Sequence, residues 1–222
     1  MFGRQDRSVD IAGLDLDSLS GHPIDAARRL VGAEIRSDEV LVRIVEVEAY
    51  GGPEDGPWPD PASHSYRGPT ARNSVMFGPA GRLYVYLSYG MHLCVNVTCG
   101  PDGQAAAVLL RAGEVIEGAD TVRSRRGTRP ATPKIASGPG NLGQALGVSL
   151  GNTGTDLLDG SSSIGLVHRE DPGSAIDVVS PVAVEQGPRV GVSTAANRPW
   201  RFWIPDSLAV STYRRSPRAA PL

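Results

Sequence analysis

The run Val40-Leu41-Val42-Arg43-Ile44-Val45-Glu46-Val47-Glu48-Ala49-Tyr50 reads as one long β-strand, rich in β-branched residues and free of glycine and proline. Residues two apart on a strand share a face. Glu46, Glu48 and Tyr50 are therefore predicted to project together, beside the apolar Val42 and Ile44. A carboxylate on a partly apolar face, close to a second one, should have a raised pKa and can serve as an acid or base. An isolated Glu-x-Glu pair equally describes an exposed strand face, so the pattern alone leaves both readings open.

Around this strand the chain alternates short elements with turns. Residues 1–19 read as a loose lead-in. Pro23 suits the first position of a helix that runs to about Val31 and is closed by Gly32. A strand from Ala33 to Ser37 and a turn at Asp38-Glu39 precede the long strand. A Pro- and Gly-rich stretch over 51–72 predicts a long loop, and such loops in compact domains usually carry function. Strand signals return at Leu83–Leu87 and His92–Thr98, joined by a tight Tyr89-Gly90 tip. After the turn at Pro101-Asp102-Gly103 comes a strand over Ala105–Arg111. A helix is predicted from about Glu114 to Arg126, with acids early and arginines late as the helix dipole prefers. A short helix near Asn141–Leu146 and strands at Ile164–His168, Ile176–Val179, Val182–Glu185 and Arg201–Ile204 complete the pattern. The expectation is one α+β domain over 20–207, followed by a frayed tail over 208–222.

Composition narrows the function. The 222 residues, 40% hydrophobic and 21% charged, suit one globular domain with a sizeable core. No apolar run approaches the length of about 18 residues that spans a membrane. Met1–Asp10 carries charges of both signs and no apolar core, unlike a secretory signal. Cys94 and Cys99 lie five residues apart, which is neither a zinc nor a redox spacing, so a reducing cytoplasmic setting is expected. The four histidines, at 22, 64, 92 and 168, are too scattered to suggest a metal.

A net charge of −2 conceals segregation. Residues 61–101 contain no acid but include Arg67, Arg72 and Arg82. Residues 121–155 also contain none, and carry Arg123, Arg125, Arg126, Arg129 and Lys134. Such stretches describe solvated surface or a local positive face that holds nucleic acid. Aromatic residues make up 5% of the chain, yet Tyr84, Tyr86 and Tyr89 fall within six positions. Tyr84 and Tyr86 share a face, and a tyrosine at a Tyr-Gly tip is poorly explained by core packing. Aromatic side chains flanked by acid-free, arginine-bearing sequence are what base stacking needs. His92, Cys94, Asn96 and Thr98 alternate with Leu93, Val95 and Val97, giving one core face and one small polar face like a pocket wall. Asn96 there is either a satisfied hydrogen-bonding group or a ligand contact.

The ordered combination is specific. Arg43 through Tyr50, then Gly52-Pro53-Glu54-Asp55, Ser63-His64-Ser65, Arg72-Asn73, Met76-Phe77 and Leu83-Tyr84-Val85-Tyr86 occur in sequence. Tyr89-Gly90-Met91, Asn96, Val108-Leu109-Leu110-Arg111, Glu117-Gly118 and Ser137-Gly138-Pro139 follow. This series closely resembles the alkyladenine (3-methyladenine) DNA glycosylase family, the helix-hairpin-helix-independent enzymes that repair alkylated purines, over residues 24–205. The resemblance implies a compact fold around a mostly antiparallel sheet with peripheral helices, and a protruding hairpin that enters the DNA minor groove. It assigns Glu48 as general base, and Arg111 to the catalytic water and a neighbouring phosphate. Tyr50, His64 and Tyr86 would enclose a flipped base, Asn96 would stand against the purine 2-position, and Tyr89 would be the wedge that replaces the flipped nucleotide. Arg67, Arg72, Arg82, Arg123 and Arg126 are the candidates for phosphate contacts.

The implied enzyme is a monofunctional, cofactor-free monomer acting on double-stranded DNA with damaged purines, in the cytoplasm at the nucleoid. One departure stands out. The family places its histidine about four residues after the aspartate of the Gly-Pro-Glu-Asp stretch. Here Gly56-Pro57-Trp58-Pro59-Asp60 is inserted, His64 lies nine residues beyond Asp55, and the insertion is expected to bulge outward. Two rival classes remain: a non-catalytic nucleic-acid module similar to the C-terminal domain of methionyl-tRNA formyltransferase, and a sugar hydrolase using Glu46 and Glu48. The first has no need of a carboxylate. The second needs carboxylates on opposite faces of the scissile bond, whereas these two neighbour each other on one strand.

Overall fold

The computed structural model describes residues 8–9, 14–127, 131–167 and 182–220. In chain order its elements are β1 (Ser8–Val9), α1 (Leu16–Leu19), α2 (Pro23–Leu30), β2 (Glu34–Ser37), β3 (Val40–Tyr50), β4 (Leu83–Ser88), β5 (His92–Cys99) and β6 (Ala106–Glu117). Then come α3 (Ala119–Arg126), α4 (Pro139–Leu146), β7 (Ile164–Leu166), β8 (Val182–Ala183), β9 (Glu185–Gly187) and β10 (Arg201–Trp203). Every strand pair is antiparallel. The main sheet runs β4-β5-β6-β3-β10-β9, with β2 on β3 and β7 on β2. The fold is α+β, as the sequence implied.

β3 is the central strand because it can be buried on both faces; Arg43 and Tyr50 are its only residues with partial exposure. Its pairing with β6 explains the features that position the site. Ile44 faces Gly113 and Glu46 faces Ala112, so Val45 is an extra residue on β3. Glu46 faces Ala112 and Val47 faces Leu110, so Arg111 is an extra residue on β6. Each bulge reverses the face to which later side chains point. Val42 and Ile44 lie in the main core, and so do Val47 and Ala49. Glu46, Glu48 and Tyr50 therefore point away from that core instead of sharing a face with Val42 and Ile44, a correction to the simple alternation.

Three further differences have local causes. Residues 114–117, expected to begin a helix, extend β6 because they pair with Leu41–Arg43 of β3. The helix starts only at Ala119, after Gly118 turns the chain with φ 76°. In the lead-in, α1 is opened by a capping box of Asp15 and Ser18 at its N-terminus, and Leu14 and Leu19 enter the core. Past 208, Ala209 is buried and Ser211 bonds Glu46 through both its backbone N–H and its hydroxyl, so the domain continues into the segment read as tail. The expected strand at Ile176–Val179, together with His168 and Arg129, lies outside the described residues.

The hairpin tip follows its sequence. Tyr89 and Gly90 have φ of 50° and 69°, and the Met91 N–H donates to the Ser88 carbonyl at 3.0 Å. Those are the signs of a type I′ turn, whose twist matches the flanking strands. Gly90 takes the conformation freely, whereas a tyrosine does so at a cost. Among the described residues no helix is long and apolar enough to cross a membrane.

Candidate active site

A cavity of about 510 Å³ opens on the sheet face turned away from the main core. Strand alternation supplies its floor: Tyr84 and Tyr86 from β4, Cys94 and Asn96 from β5, Leu109 and Arg111 from β6, and Tyr50 from β3. The loop after β3 adds Ser63 and His64, and Val190 to Val192 close another side. Tyr89 stands at the rim, 90% exposed.

Glu48 lies fully buried behind this wall. Its Oε2 accepts from the Tyr50 hydroxyl at 2.8 Å. Its Oε1 accepts from the Val190 N–H at 2.6 Å and meets an Arg111 guanidinium nitrogen at 3.3 Å. A carboxylate has about four lone-pair sites, so these three contacts leave room for one more donor, such as a water. Burial, and then the Glu48 charge, push the Tyr50 phenol well above its ordinary pKa, so Tyr50 remains a donor.

Glu46 differs. Its Oε1 accepts from Arg111 Nε, Arg201 Nε and the Ser211 hydroxyl, each at 2.8 Å, and its Oε2 accepts from the Ser211 N–H at 2.7 Å. Four donors meet it, two of them guanidiniums, against three at Glu48. Burial would raise its pKa, but Arg111 and Arg201 outweigh that and hold it below the ordinary carboxylate value. The raised pKa expected from an apolar strand face is not found at Glu46, because the bulge on β6 aims Arg111 at it.

His64 and the tyrosines form an aromatic cluster. The His64 and Tyr86 ring centroids are 4.6 Å apart, edge to face, and those of Tyr84 and Tyr86 are 5.7 Å apart. His64 Nδ1 lies 3.0 Å from the Tyr84 hydroxyl. Burial, then the Arg72 charge, lower the His64 pKa below 6.5, so the imidazole is neutral at neutral pH. The Arg72 guanidinium lies 5.4 Å from the Tyr86 ring centroid. Asn96 is buried and donates to the Tyr84 carbonyl at 3.1 Å while lining the cavity. Burial raises the Cys94 pKa, outweighing the lowering effect of Tyr86, Ser88 and Arg111, and keeps it a thiol.

The insertion bulges outward only in part: Pro57 and Pro59 are exposed, while Trp58 and Asp60 turn inward. Asp60 is fully buried and accepts from the backbone N–H groups of Gly51 and Ala62 and from both Nη atoms of Arg189. Trp58 packs against the main core. Asp60 stands four residues before His64, the interval at which the family pattern has its aspartate, whereas Asp55 is exposed. The extra residues thus precede Asp60, and His64 keeps its place.

The cavity brings together Tyr50, His64, Arg72, Tyr86, Tyr89, Asn96 and Arg111, with Glu48 behind them. Arg82 pairs with Asp156 at 3.0 Å. Arg123 bonds Thr132, and Arg126 bonds the Ile135 carbonyl and Gln144. Arg67 is exposed in a separate groove with Glu54 and Tyr66. Arg189, Arg201, Ser211 and the Val190 N–H were not anticipated. No local pattern marks them, because their positions depend on pairing across more than a hundred residues of chain.

Residues 17–208 match the family model described as methylpurine-DNA glycosylase. The chain is 59% identical over 209 residues to a Nocardia farcinica protein, covering 94% of this chain and 95% of that one. It is 60% identical over 199 residues to one from Rhodococcus jostii, covering 89% and 84%. It is 53% identical over 216 residues to one from Mycobacterium leprae, covering 97% and 96%. All three bear the name "Putative 3-methyladenine DNA glycosylase".

Proposed function

Since the chain belongs to the methylpurine-DNA glycosylase family and is a DNA N-glycosylase, we propose that it removes alkylated and deaminated purines from duplex DNA: 3-methyladenine, 7-methylguanine and hypoxanthine. The damaged nucleotide swings out of the stack, at a cost of about a few kcal/mol. Tyr89 enters the gap and offsets part of that cost. The base stands among Tyr50, Tyr86 and His64. An alkylated purine carries positive charge, which tyrosine faces attract and a neutral imidazole does not repel.

Bond cleavage builds oxocarbenium character on the sugar. Glu48 stabilises that charge, takes a proton from a water at its remaining lone-pair site, and directs the oxygen to the anomeric carbon. The purine leaves with the glycosidic electron pair. Arg111 helps to hold the water and the adjacent phosphate. The observation that carries this reading is the contrast between two neighbouring carboxylates: Glu46 is tied to Arg201 and Ser211 away from the cavity as well as to Arg111, whereas all three partners of Glu48, Tyr50, Arg111 and Val190, line the cavity.

The enzyme is monofunctional. Strand-nicking glycosylases attack the sugar with an amine, and the single lysine, Lys134, is bonded to the Val210 carbonyl away from the cavity. It works as a monomer on the chromosome in the cytoplasm. The test is excision from duplexes carrying each lesion, with borohydride added in parallel. Release of free base, an intact abasic strand and no trapped protein are expected. Tight lesion binding without release would favour the non-catalytic module, and a borohydride adduct would overturn the monofunctional reading.

A further inference from the structure

Arg189 occupies an unusual place behind the cavity. It is 1% exposed, among the largest fully buried side chains, yet it does not line the cavity. Three walls meet on it. Its Nη atoms donate to Asp60 at 2.6 and 2.9 Å, which anchors the loop carrying His64. Nη1 also donates to the Ala49 carbonyl at 3.0 Å, between Glu48 and Tyr50 on β3. The guanidinium carbon lies 4.5 Å from the Tyr50 ring centroid. The next residue along the chain, Val190, gives its N–H to Glu48. Among the described residues Arg189 Nε has no hydrogen-bond partner.

We propose that Arg189, clamped by Asp60, is a positioning residue for excision. Its fork fixes the 189–192 segment relative to β3, so that the Val190 N–H holds Glu48 Oε1 against the residues that line the cavity. Its guanidinium also packs on the ring of Tyr50, the second donor to Glu48. Lysine keeps the charge but cannot bond Asp60 through two nitrogens and reach the Ala49 carbonyl together. The inference rests on the reading of Glu48 as general base.

The test is single-turnover excision of 7-methylguanine from a duplex by wild type, Arg189→Lys, Asp60→Asn, Glu48→Gln and Arg189→Lys/Glu48→Gln. Rates are taken per DNA-binding site, so partial misfolding does not count as slow chemistry. Arg189→Lys and Asp60→Asn are expected to slow the maximal rate on the order of 10²-fold, the effect of misplacing a reacting group by about 1 Å, with lesion-DNA affinity nearly unchanged. In the Glu48→Gln background Arg189→Lys should add nothing, because the group it positions is gone. If wild type releases no base, or Glu48→Gln is fully active, the underlying reading fails. If those controls hold, three results overturn the inference: unchanged maximal rates, equal slowing in both backgrounds, or variants that lose DNA binding altogether.

Discussion

Two carboxylates on one strand have different fates because of the atoms opposite each. Glu46 meets two guanidiniums and both donors of Ser211; Glu48 meets a phenol, one amide and Nη1 of Arg111, whose Nε goes to Glu46. Glu48→Gln should lower excision by about 10²–10⁴-fold, the usual worth of a general base, with lesion binding kept. Glu46→Gln should instead act on stability, since removing one partner of a buried pair costs about 3–5 kcal/mol. The Glu46 pKa is lowered in the fold, so its stabilisation is complete above the unfolded value near 4.5 and is lost as the pH falls through the folded value. Urea midpoints taken across acid pH should therefore decline less steeply for Glu46→Gln than for wild type. The opposite assignment would show as a dead Glu46→Gln beside an active Glu48→Gln. Asn96 has two roles to separate. Asn96→Ala removes one hydrogen bond to the Tyr84 carbonyl, at about 0.5–1.5 kcal/mol, and opens space in the cavity. Cleavage of guanine mispairs should rise relative to hypoxanthine if the amide crowds a 2-amino group. A loss of stability with unchanged base preference would leave Asn96 a purely structural amide.

The β4–β5 hairpin puts its largest side chain where the core cannot use it. Leu87, Tyr89 and Met91 are all exposed, at 44%, 90% and 72%, and Tyr89 holds a left-handed backbone. Tyr89→Ala should hardly change the thermal midpoint, yet weaken lesion capture about ten-fold or more, since the unstacking cost of a few kcal/mol loses its compensation. Fluorescence of 2-aminopurine beside the lesion should report less extrusion, and a marked drop in melting temperature would place Tyr89 in the core. This element was legible in the sequence because a Tyr-Gly turn between alternating strands is a local signal. The alternation of Cys94 and Asn96 with Val95 and Val97 was legible for the same reason. The bulges at Val45 and Arg111 were not, since they arise from the register between strands some 65 residues apart. Residues 114–117 carried a helix-like charge pattern, and pairing with β3 overrode it. Asp60 was misread because a buried aspartate and an exposed one look alike until Arg189 is placed.

At the scale of the molecule, the buried centre is electrically balanced: Glu46, Glu48 and Asp60 face Arg111, Arg189 and Arg201. With 24 acids and 22 bases in the chain, removing three of each leaves 21 and 19, so the net −2 belongs to the remaining groups. Attraction to DNA must then come from placement. The acids concentrate in residues 1–60, and the cavity wall is built largely from the acid-free 61–101 stretch, which contributes His64, Arg72, Tyr84 and Tyr86. Arg82, Arg123 and Arg126 already hold partners within the protein, so for them a phosphate contact means exchanging one bond for another. Arg67 is exposed and lies three residues beyond His64. Each phosphate neutralised contributes about −0.9 to the slope of log affinity against log salt. Lesion-DNA binding should therefore weaken steeply with salt despite the negative net charge, and Arg67→Gln should make the slope shallower by about one, with base preference unchanged. Arg82→Gln should act less on the slope and more on stability, because it strands Asp156. Titrations over a range of ionic strength decide this: a flat dependence in wild type, or an unchanged slope in Arg67→Gln, would make these arginines ordinary surface and leave the hairpin and cavity as the principal source of affinity.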